Sequence, residues 1–143
     1  MQILKPLFPI LFFMTWCYSW SQNLDDYKWE NRLLFFIADN ESLTLEKNVK
    51  PFTENKNELK DRDLIILVMN RTNVFNTDGS KLDVKAEHVY EQFQLMTDYE
   101  GILLIGKDGG AKLKKPLPVN PETIYNTIDA MPMRQSELRN RKN

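Results

Sequence analysis

The chain has one cysteine, Cys17, and one histidine, His88, among its 143 residues. A single histidine excludes zinc sites built from several histidines, and it excludes a catalytic triad that needs a second imidazole. The acidic residues do not have the spacing of a calcium-binding loop, so no metal or cofactor site is predicted. His88 stands between Glu87 and Glu91 on a predicted charged helix face, which favours a solvated surface residue.

The sequence also lacks an excess of charge of either sign, since it has 19 basic and 20 acidic residues. Proteins that bind nucleic acids or anionic membrane surfaces through electrostatics usually carry a clear basic surplus. The composition therefore gives no reason to predict a nucleic-acid partner.

The first 21 residues have the features of a secretory signal peptide. Lys5 precedes an apolar run over residues 7–18, which is too short to span a hydrocarbon core of about 30 Å as a helix. Ser19 and Ser21 provide the small-x-small spacing of a peptidase site, which predicts cleavage before Gln22. The alternative is an uncleaved N-terminal anchor. With cleavage, we expect a secreted or periplasmic protein that is not inserted in a membrane.

Removal of residues 1–21 takes away Cys17, Lys5 and no acidic residue. The 122 residues that remain carry 18 basic and 20 acidic side chains, a net charge of −2. A chain of this length can form one domain with a hydrophobic core. Because the predicted mature chain has no thiol, the sequence excludes thiol–disulfide and peroxidase chemistry by that chain.

Three apolar runs, over residues 32–38, 63–70 and 101–105, predict buried strands. A helical stripe that begins near residue 43, and that Pro51 is expected to interrupt, joins the first two runs, which predicts a parallel pair with a right-handed crossover. Residues 71–81 are rich in turn formers and are predicted to be a loop.

The second half of the chain predicts a helix, a hairpin and a final helix. Residues 84–93 have amphipathic helical spacing. The Asp108-Gly109 pair favours a tight antiparallel hairpin that leads to an edge strand over residues 111–115. Asn120 and Pro121 have the preferred residue types for a helix N-cap and first turn.

This order of elements predicts an α/β fold of the thioredoxin-like type, with a mixed central sheet of four to five strands and flanking helices. Another small mixed-sheet α/β domain is the alternative. The predicted domain covers residues 22–134, and residues 135–143 are predicted to be a charged, frayed tail. Thioredoxin-like oxidoreductases place a reactive cysteine directly after the first central strand, but residues 39–42 contain no thiol.

Several segments resemble a family of domains of unknown function. They are residues 103–113, with the sequence Leu-Leu-Ile-Gly-Lys-Asp-Gly-Gly-Ala-Lys-Leu, and residues 128–134, with Ile-Asp-Ala-Met-Pro-Met-Arg; residues 27–29, 32–34 and 62–64 are similar too. The family occurs in bacterial exported proteins and, as a repeated module, in vertebrate sushi-repeat-containing extracellular-matrix proteins. The resemblance implies a thioredoxin-like fold related to peroxiredoxin-type domains without their catalytic cysteine. It implies no established activity and no catalytic residues.

Five charged residues in these segments form the candidate polar cluster: Lys107, Asp108, Lys112, Asp129 and Arg134. Arg134 is predicted to form a structural ion pair with Asp108 or Asp129 that fixes the last helix to the hairpin, and a ligand-binding arginine is the alternative. The lysines of the hairpin indicate either an anion or sulfated-glycan contact or protection of an edge strand from aggregation.

Two functions remain compatible with the sequence. The first is an exported, non-catalytic binding or structural module with a protein or glycan partner. The second is an envelope enzyme that acts on a small anionic substrate through carboxylates and the basic hairpin, without thiol chemistry. A deep pocket that gathers Asp108, Arg134 and a perturbed carboxylate would favour the enzyme, and a flat surface would favour the module.

Overall fold

A six-stranded mixed sheet lies at the centre of this computed structural model, which describes residues 23–39 and 43–142. The predicted signal peptide and the predicted cleavage site lie outside the described residues. The strands are β1 (Arg32–Ile37), β2 (Leu64–Met69), β3 (Asn73–Asn76), β4 (Lys81–Lys85), β5 (Gly101–Ile105) and β6 (Ala111–Lys115). The helices are α1 (Leu43–Thr53), α2 (Lys56–Asp61), α3 (Ala86–Gln92), α4 (Pro121–Asp129) and α5 (Pro132–Asn140), and a 3-10 turn (Leu24–Tyr27) precedes β1.

The strand order across the sheet is β4-β3-β2-β1-β5-β6. The strands β1 and β2 are parallel, with Arg32 opposite Leu64, and all other neighbours are antiparallel. The parallel pair and the β5–β6 hairpin therefore form as the sequence predicts. The α/β class with a mixed sheet is confirmed, but the sheet has six strands where four to five were expected.

The central strand β1 is buried along its whole length because both faces of the sheet are covered. Leu33, Phe35 and Ile37 pack into a core with α3, which contributes Ala86 and Val89. Leu34 and Phe36 point to the opposite face, where they meet Phe52 of α1 and two isoleucines of α4. A continuous apolar strand of this kind requires helices on both faces, which the fold supplies.

The prediction of a loop over residues 71–81 is wrong, because this segment contains β3 and the start of β4. A tight turn at Asp78 and Gly79 joins the two strands, with Gly79 at a φ of +84°. The side chain of Asp78 accepts a hydrogen bond from the backbone N–H of Ser80 at 2.8 Å. An Asp-Gly turn of this kind also forms the β5–β6 hairpin, where Gly109 has a φ of +78°.

One predicted helix and the predicted C-terminal tail also need correction. The helix expected over residues 84–93 begins at Ala86, because Leu82 and Val84 alternate with exposed residues and extend β4 to Lys85. The segment expected to be a frayed tail, residues 135–143, belongs mostly to α5, which continues to Asn140. Pro132 is the first residue of that helix, and the preceding helix α4 ends three residues earlier at Asp129.

The remaining helices follow the sequence more closely. Pro51 was expected to interrupt the first helical stripe, but it lies inside α1, which continues to Thr53. The polar stretch beyond α1 forms the short α2. Asn120 caps α4 as predicted, since its side chain accepts a hydrogen bond from the N–H of Glu122 at 3.0 Å. Among the helices of residues 23–39 and 43–142, none is long and apolar enough to cross a membrane.

Gly101 at the start of β5 allows a close approach that no other residue permits. A Cβ atom there would overlap the carbonyl oxygen of Lys115 on β6 and approach the Tyr99 hydroxyl within 2.9 Å. We expect Gly101→Ala to lower the free energy of unfolding by about 3 kcal/mol, because the two strands would have to separate.

The matched control is Gly79→Ala in the β3–β4 turn, where a Cβ atom meets nothing within 4 Å. Only the positive φ angle opposes this change, which should cost about 1 kcal/mol. Urea unfolding of both variants measures the difference, and equal losses would contradict a steric role for Gly101.

Candidate functional site

Charged residues from distant parts of the chain meet at one end of the sheet. Because β1 and β2 are parallel and β5 is antiparallel to β1, the starts of β1 and β2 lie beside the end of β5. Arg32 begins β1, Arg62 precedes β2, and Lys107 follows β5. The helix α5 brings Arg134 and Glu137 to the same end. These residues and their ionic partners are called the charge network below.

Glu137 joins three parts of the charge network. Its carboxylate accepts hydrogen bonds from Arg32, at 3.1 and 3.3 Å, and lies 2.9 Å from the Lys107 ammonium. The Lys107 ammonium also donates to Asp63 at 2.8 Å. One carboxylate on α5 therefore fixes this helix to the start of β1 and to the β5–β6 hairpin.

Two aspartates hold the guanidinium of Arg134. Its Nε donates to Asp129 at 3.1 Å, and its terminal nitrogens donate to the side chain and the backbone carbonyl of Asp61. Asp129 also accepts a hydrogen bond from Arg62 at 2.6 Å. Arg134 thus pairs with Asp129, one of the two predicted partners, and Asp108 pairs elsewhere. These contacts fix α5 to α2 and α4 and not to the hairpin as predicted, and the link to the hairpin comes from Glu137 and Lys107.

The charge network is balanced and partly buried. Arg32 and Arg134 are each only 1% exposed. Arg62 lies over the ring of Tyr125, with 4.6 Å between the guanidinium carbon and the ring centroid. Its basic members are Arg32, Arg62, Lys107, Arg134 and Arg141, and its acidic members are Glu58, Asp61, Asp63, Asp129 and Glu137.

The environment keeps the central carboxylates ionised. Burial raises the pKa of Glu137, but hydrogen bonds and charge from Lys107 and Arg32 outweigh that effect, so the pKa lies below its usual value. Burial likewise raises the pKa of Asp61, and Arg134 and Arg141 lower it by more. These carboxylates are therefore suited to holding cations and not to donating protons near neutral pH.

The two remaining residues of the candidate cluster form a separate pair in the hairpin. Lys112 donates to Asp108 at 2.6 Å, and this hydrogen bond is the main reason that the pKa of Asp108 is lowered. Together with Lys107, the pair lines a hollow of about 250 Å³ between the hairpin and the start of α5. Asp129 and Arg134 stand behind it in the charge network, so the five predicted residues lie at one end of the molecule but not in one pocket.

The opposite end of β1 has a different character. Asp39, which follows β1, forms an exposed ion pair with Arg71 at 2.6 Å. Nearby, a wider hollow of about 640 Å³ is lined by Arg71, Tyr90, Leu95 and other residues of α3 and its flanking segments. His88 is exposed on α3, as predicted. In the described part of the chain, no three His, Asp or Glu side chains are placed to share a metal ion.

One protein-family model matches most of the chain. The sequence matches the family described as "Domain of unknown function (DUF4174)" over residues 23–137. The chain belongs to this family. A comparison with curated proteins gives no significant match.

Solved structures of peroxiredoxins share the fold of this DUF4174 domain. A reduced 2-Cys peroxiredoxin of Plasmodium vivax superposes with a TM-score of 0.58 at 10% identity, over 80% of this chain and 72% of that chain. The peroxiredoxin Prx1a of Plasmodium yoelii gives 0.55 at 11% identity, over 78% and 79% of the two chains. Thioredoxin peroxidase I of P. yoelii gives 0.54 at 12% identity, over 79% of each. At these identities the likeness shows the thioredoxin-like fold alone.

Sequence reasoning did not assign Arg32, Arg62, Asp61 or Glu137 to the site of the DUF4174 domain. Arg32 was visible as a charge at the edge of a buried apolar run, and such a charge requires a partner when it is buried. Glu137 was hidden because its helix was predicted to be a tail. The presence of Pro132 three residues after the end of α4 was the available signal for a new helix.

The burial of Arg134 predicts a large structural effect. We expect Arg134→Ala to lower the free energy of unfolding by about 3 kcal/mol, because a buried side chain and its hydrogen bonds to Asp61 and Asp129 would be lost, while Arg141 and Arg62 would still compensate these two carboxylates. Arg71→Ala is the matched control, since Arg71 forms an ion pair with its side chain 60% exposed and should cost less than about 1 kcal/mol. Urea unfolding measures both values, and a small loss for Arg134→Ala would exclude the structural role.

The lowered pKa values of Asp61, Glu137 and Asp108 predict a specific acid dependence. A carboxyl group whose pKa is lower in the folded state stabilises that state above its unfolded pKa, and the stabilisation is lost as the pH falls through the folded pKa. The melting temperature should therefore be nearly constant from about pH 7 to pH 5 and fall below about pH 4. Glu137→Gln should be less stable at pH 7 and depend less on pH in acid. Parallel curves for the variant and the wild type would contradict this assignment.

Proposed function

We propose that this DUF4174 domain is an exported, non-catalytic binding module, and that its binding surface is the end of the sheet where the hairpin meets α5. The partner is a protein or a glycan outside the cytoplasm, reached after cleavage before Gln22. The observation that carries the proposal is the convergence of the segments that resemble the family. Residues 32–34, 62–64, 103–113 and 128–134 all contribute to the charge network or to the hollow beside it.

The state of the carboxylates supports binding over catalysis. A general acid near neutral pH needs a raised pKa, whereas the pKa values of Asp61, Asp108 and Glu137 are lowered by basic partners. Arg134 is buried behind the surface and already has two carboxylate partners, so it is not free to bind a substrate. These features argue against an enzyme that acts on an anionic substrate through this cluster.

The fold shared with peroxiredoxins does not give this domain a thiol-based peroxidase activity. Peroxide reduction by a thiol needs a reactive cysteine, and the described residues contain none. At the place where thioredoxin-like enzymes hold that cysteine, Asp39 and Arg71 form an ion pair.

Capture on immobilised protein tests the proposal. The purified protein is incubated with envelope extract of its source, and the retained components are identified and quantified by mass spectrometry. We expect an envelope protein or glycan to be retained in proportion to the immobilised protein and to remain chemically unchanged. Lys112→Glu should reduce retention, because it reverses a charge at the surface of the hollow.

Lys81→Glu is the matched control for this experiment. Lys81 is an exposed lysine of β4, at the opposite edge of the sheet from β6. This variant should retain the partner as the wild type does. Many turnovers of a component per protein molecule would instead favour the enzyme, and equal retention by both variants would exclude the proposed surface.

A further inference from the structure

The hollow between the hairpin and α5 carries a local surplus of positive charge. Arg32, Lys107 and Lys112 line it, against a single carboxylate from Asp108. The carboxylates that compensate Arg32 and Lys107 belong to Glu137 and Asp63, which do not line the hollow. The surface of the hollow is therefore more basic than the balanced charge network behind it.

The N-terminus of α5 opens into the same hollow. Met131 precedes this nine-residue helix and cannot cap it, and Pro132 occupies the first helical position. The first N–H groups of an α-helix have no acceptor within the helix, and the positive end of the helix dipole attracts anions. Met133 is the second residue of α5 and lines the hollow. Pro132 has no N–H group and the Gln135 N–H donates to the Met131 carbonyl, so the wall formed by α5 offers the N–H groups of Met133 and Arg134 as its uncapped donors.

The guanidinium of Arg32 indicates a ligand in the hollow independently of the helix N-terminus. The residue is 1% exposed, and its terminal nitrogens donate to Glu137 and to the carbonyl oxygen of Arg62. Its Nε is buried and has no hydrogen-bond partner. Buried donors are nearly always paired, so an unpaired guanidinium N–H in a residue that lines a hollow indicates a missing acceptor.

From these three features we propose that the hollow binds an oxyanion group, a phosphate, a sulfate or a carboxylate, carried by the partner. Its donors are Lys112 and the N–H groups of Met133 and Arg134, and the Nε of Arg32 reaches the anion after a small turn of its side chain, because this atom has almost no accessible surface. Met131 and Met133 form an apolar edge that contacts the carbon atoms next to the anionic group. This inference rests on the proposed binding function and adds the chemistry that the surface recognises.

Asp108 determines how strongly an anion is held. Its carboxylate lines the hollow and accepts hydrogen bonds from Lys112 and from the N–H of Gly110. Because a carboxylate repels a bound anion, Asp108→Asn should tighten binding while its amide oxygen still accepts the Gly110 bond. Such a gain of affinity would not follow from a purely structural role of the hairpin.

Titration of the purified protein with simple anions tests the inference. Inorganic phosphate, sulfate and acetate are added separately at constant ionic strength, and sodium chloride alone is the control. NMR should show saturable shifts of the backbone amides of Gly106, Gly110 and Met133. The Nε–H signal of Arg32 should also shift and exchange more slowly with solvent, because it gains an acceptor. The anion that saturates at the lowest concentration identifies the class of oxyanion.

Matched variants establish where the anion binds. Lys112→Met should weaken binding about tenfold, as expected for the loss of one charge-assisted hydrogen bond. Lys115→Met, on the same exposed strand but outside the hollow, should leave the affinity unchanged. Melting curves of both variants should match the wild type.

The inference is overturned if no anion gives saturable shifts, or if Lys115→Met weakens binding as much as Lys112→Met. Its failure is distinct from failure of the proposed function. Retention of an envelope partner that depends on Lys112, without a response to any simple anion, would preserve the binding module and remove the oxyanion site. Saturable anion binding without a retained partner would preserve the oxyanion site and remove the binding module.

Discussion

The structure depends on the pairing of two buried guanidinium groups, those of Arg32 and Arg134. A buried charge is tolerated only when opposite charges and hydrogen bonds replace its water, and each of these arginines must therefore find carboxylates close by. Arg32 takes Glu137 and Arg134 takes Asp61 and Asp129. These partners come from the segment before β2, the end of α4 and the middle of α5. The requirement fixes how the two C-terminal helices lie against the start of the parallel strands.

The charge network also explains why the last helix is ordered although its surface is polar. An isolated nine-residue helix is too short to be stable in water, and α5 has no apolar stripe comparable with that of α4. Its order must come from contacts outside the helix. Arg134 and Glu137 are one turn apart on α5, and together they bind residues of α2, α4, β1 and the β5–β6 hairpin.

Hydrophobic patterning predicts most of the sheet, because burial on two faces leaves a continuous apolar run in β1 and β5 and a strong one in β2. Exposed strands are harder to recognise. In β3 only Val74 and Phe75 are apolar, and in β4 Leu82 and Val84 alternate with charged residues, so the segment resembles a loop. The Asp78-Gly79 turn was the available signal, as Asp108-Gly109 was for the second hairpin. The charge network shows a similar limit. The sequence singled out Lys107, Asp129 and Arg134, but it missed Glu137, because the helix that carries Glu137 was predicted to be a tail and its partners are distant in the sequence.

The position of the charge network changes what the thioredoxin-like scaffold can be expected to do. Enzymes of this fold use the end of the first central strand, where a helix N-terminus lowers the pKa of a thiol. In this DUF4174 domain that end holds the Asp39–Arg71 ion pair, and the family-specific segments lie at the opposite end, around the start of β1. At that end the N-terminus of α5 has no side-chain cap, and lysine and arginine side chains lie beside it. An oxidoreductase has a cysteine beside its helix N-terminus instead. Both uses depend on the unpaired N–H groups at the positive end of a helix. In an oxidoreductase these groups lower the pKa of a thiol, and in the site proposed for this domain they bind an oxyanion.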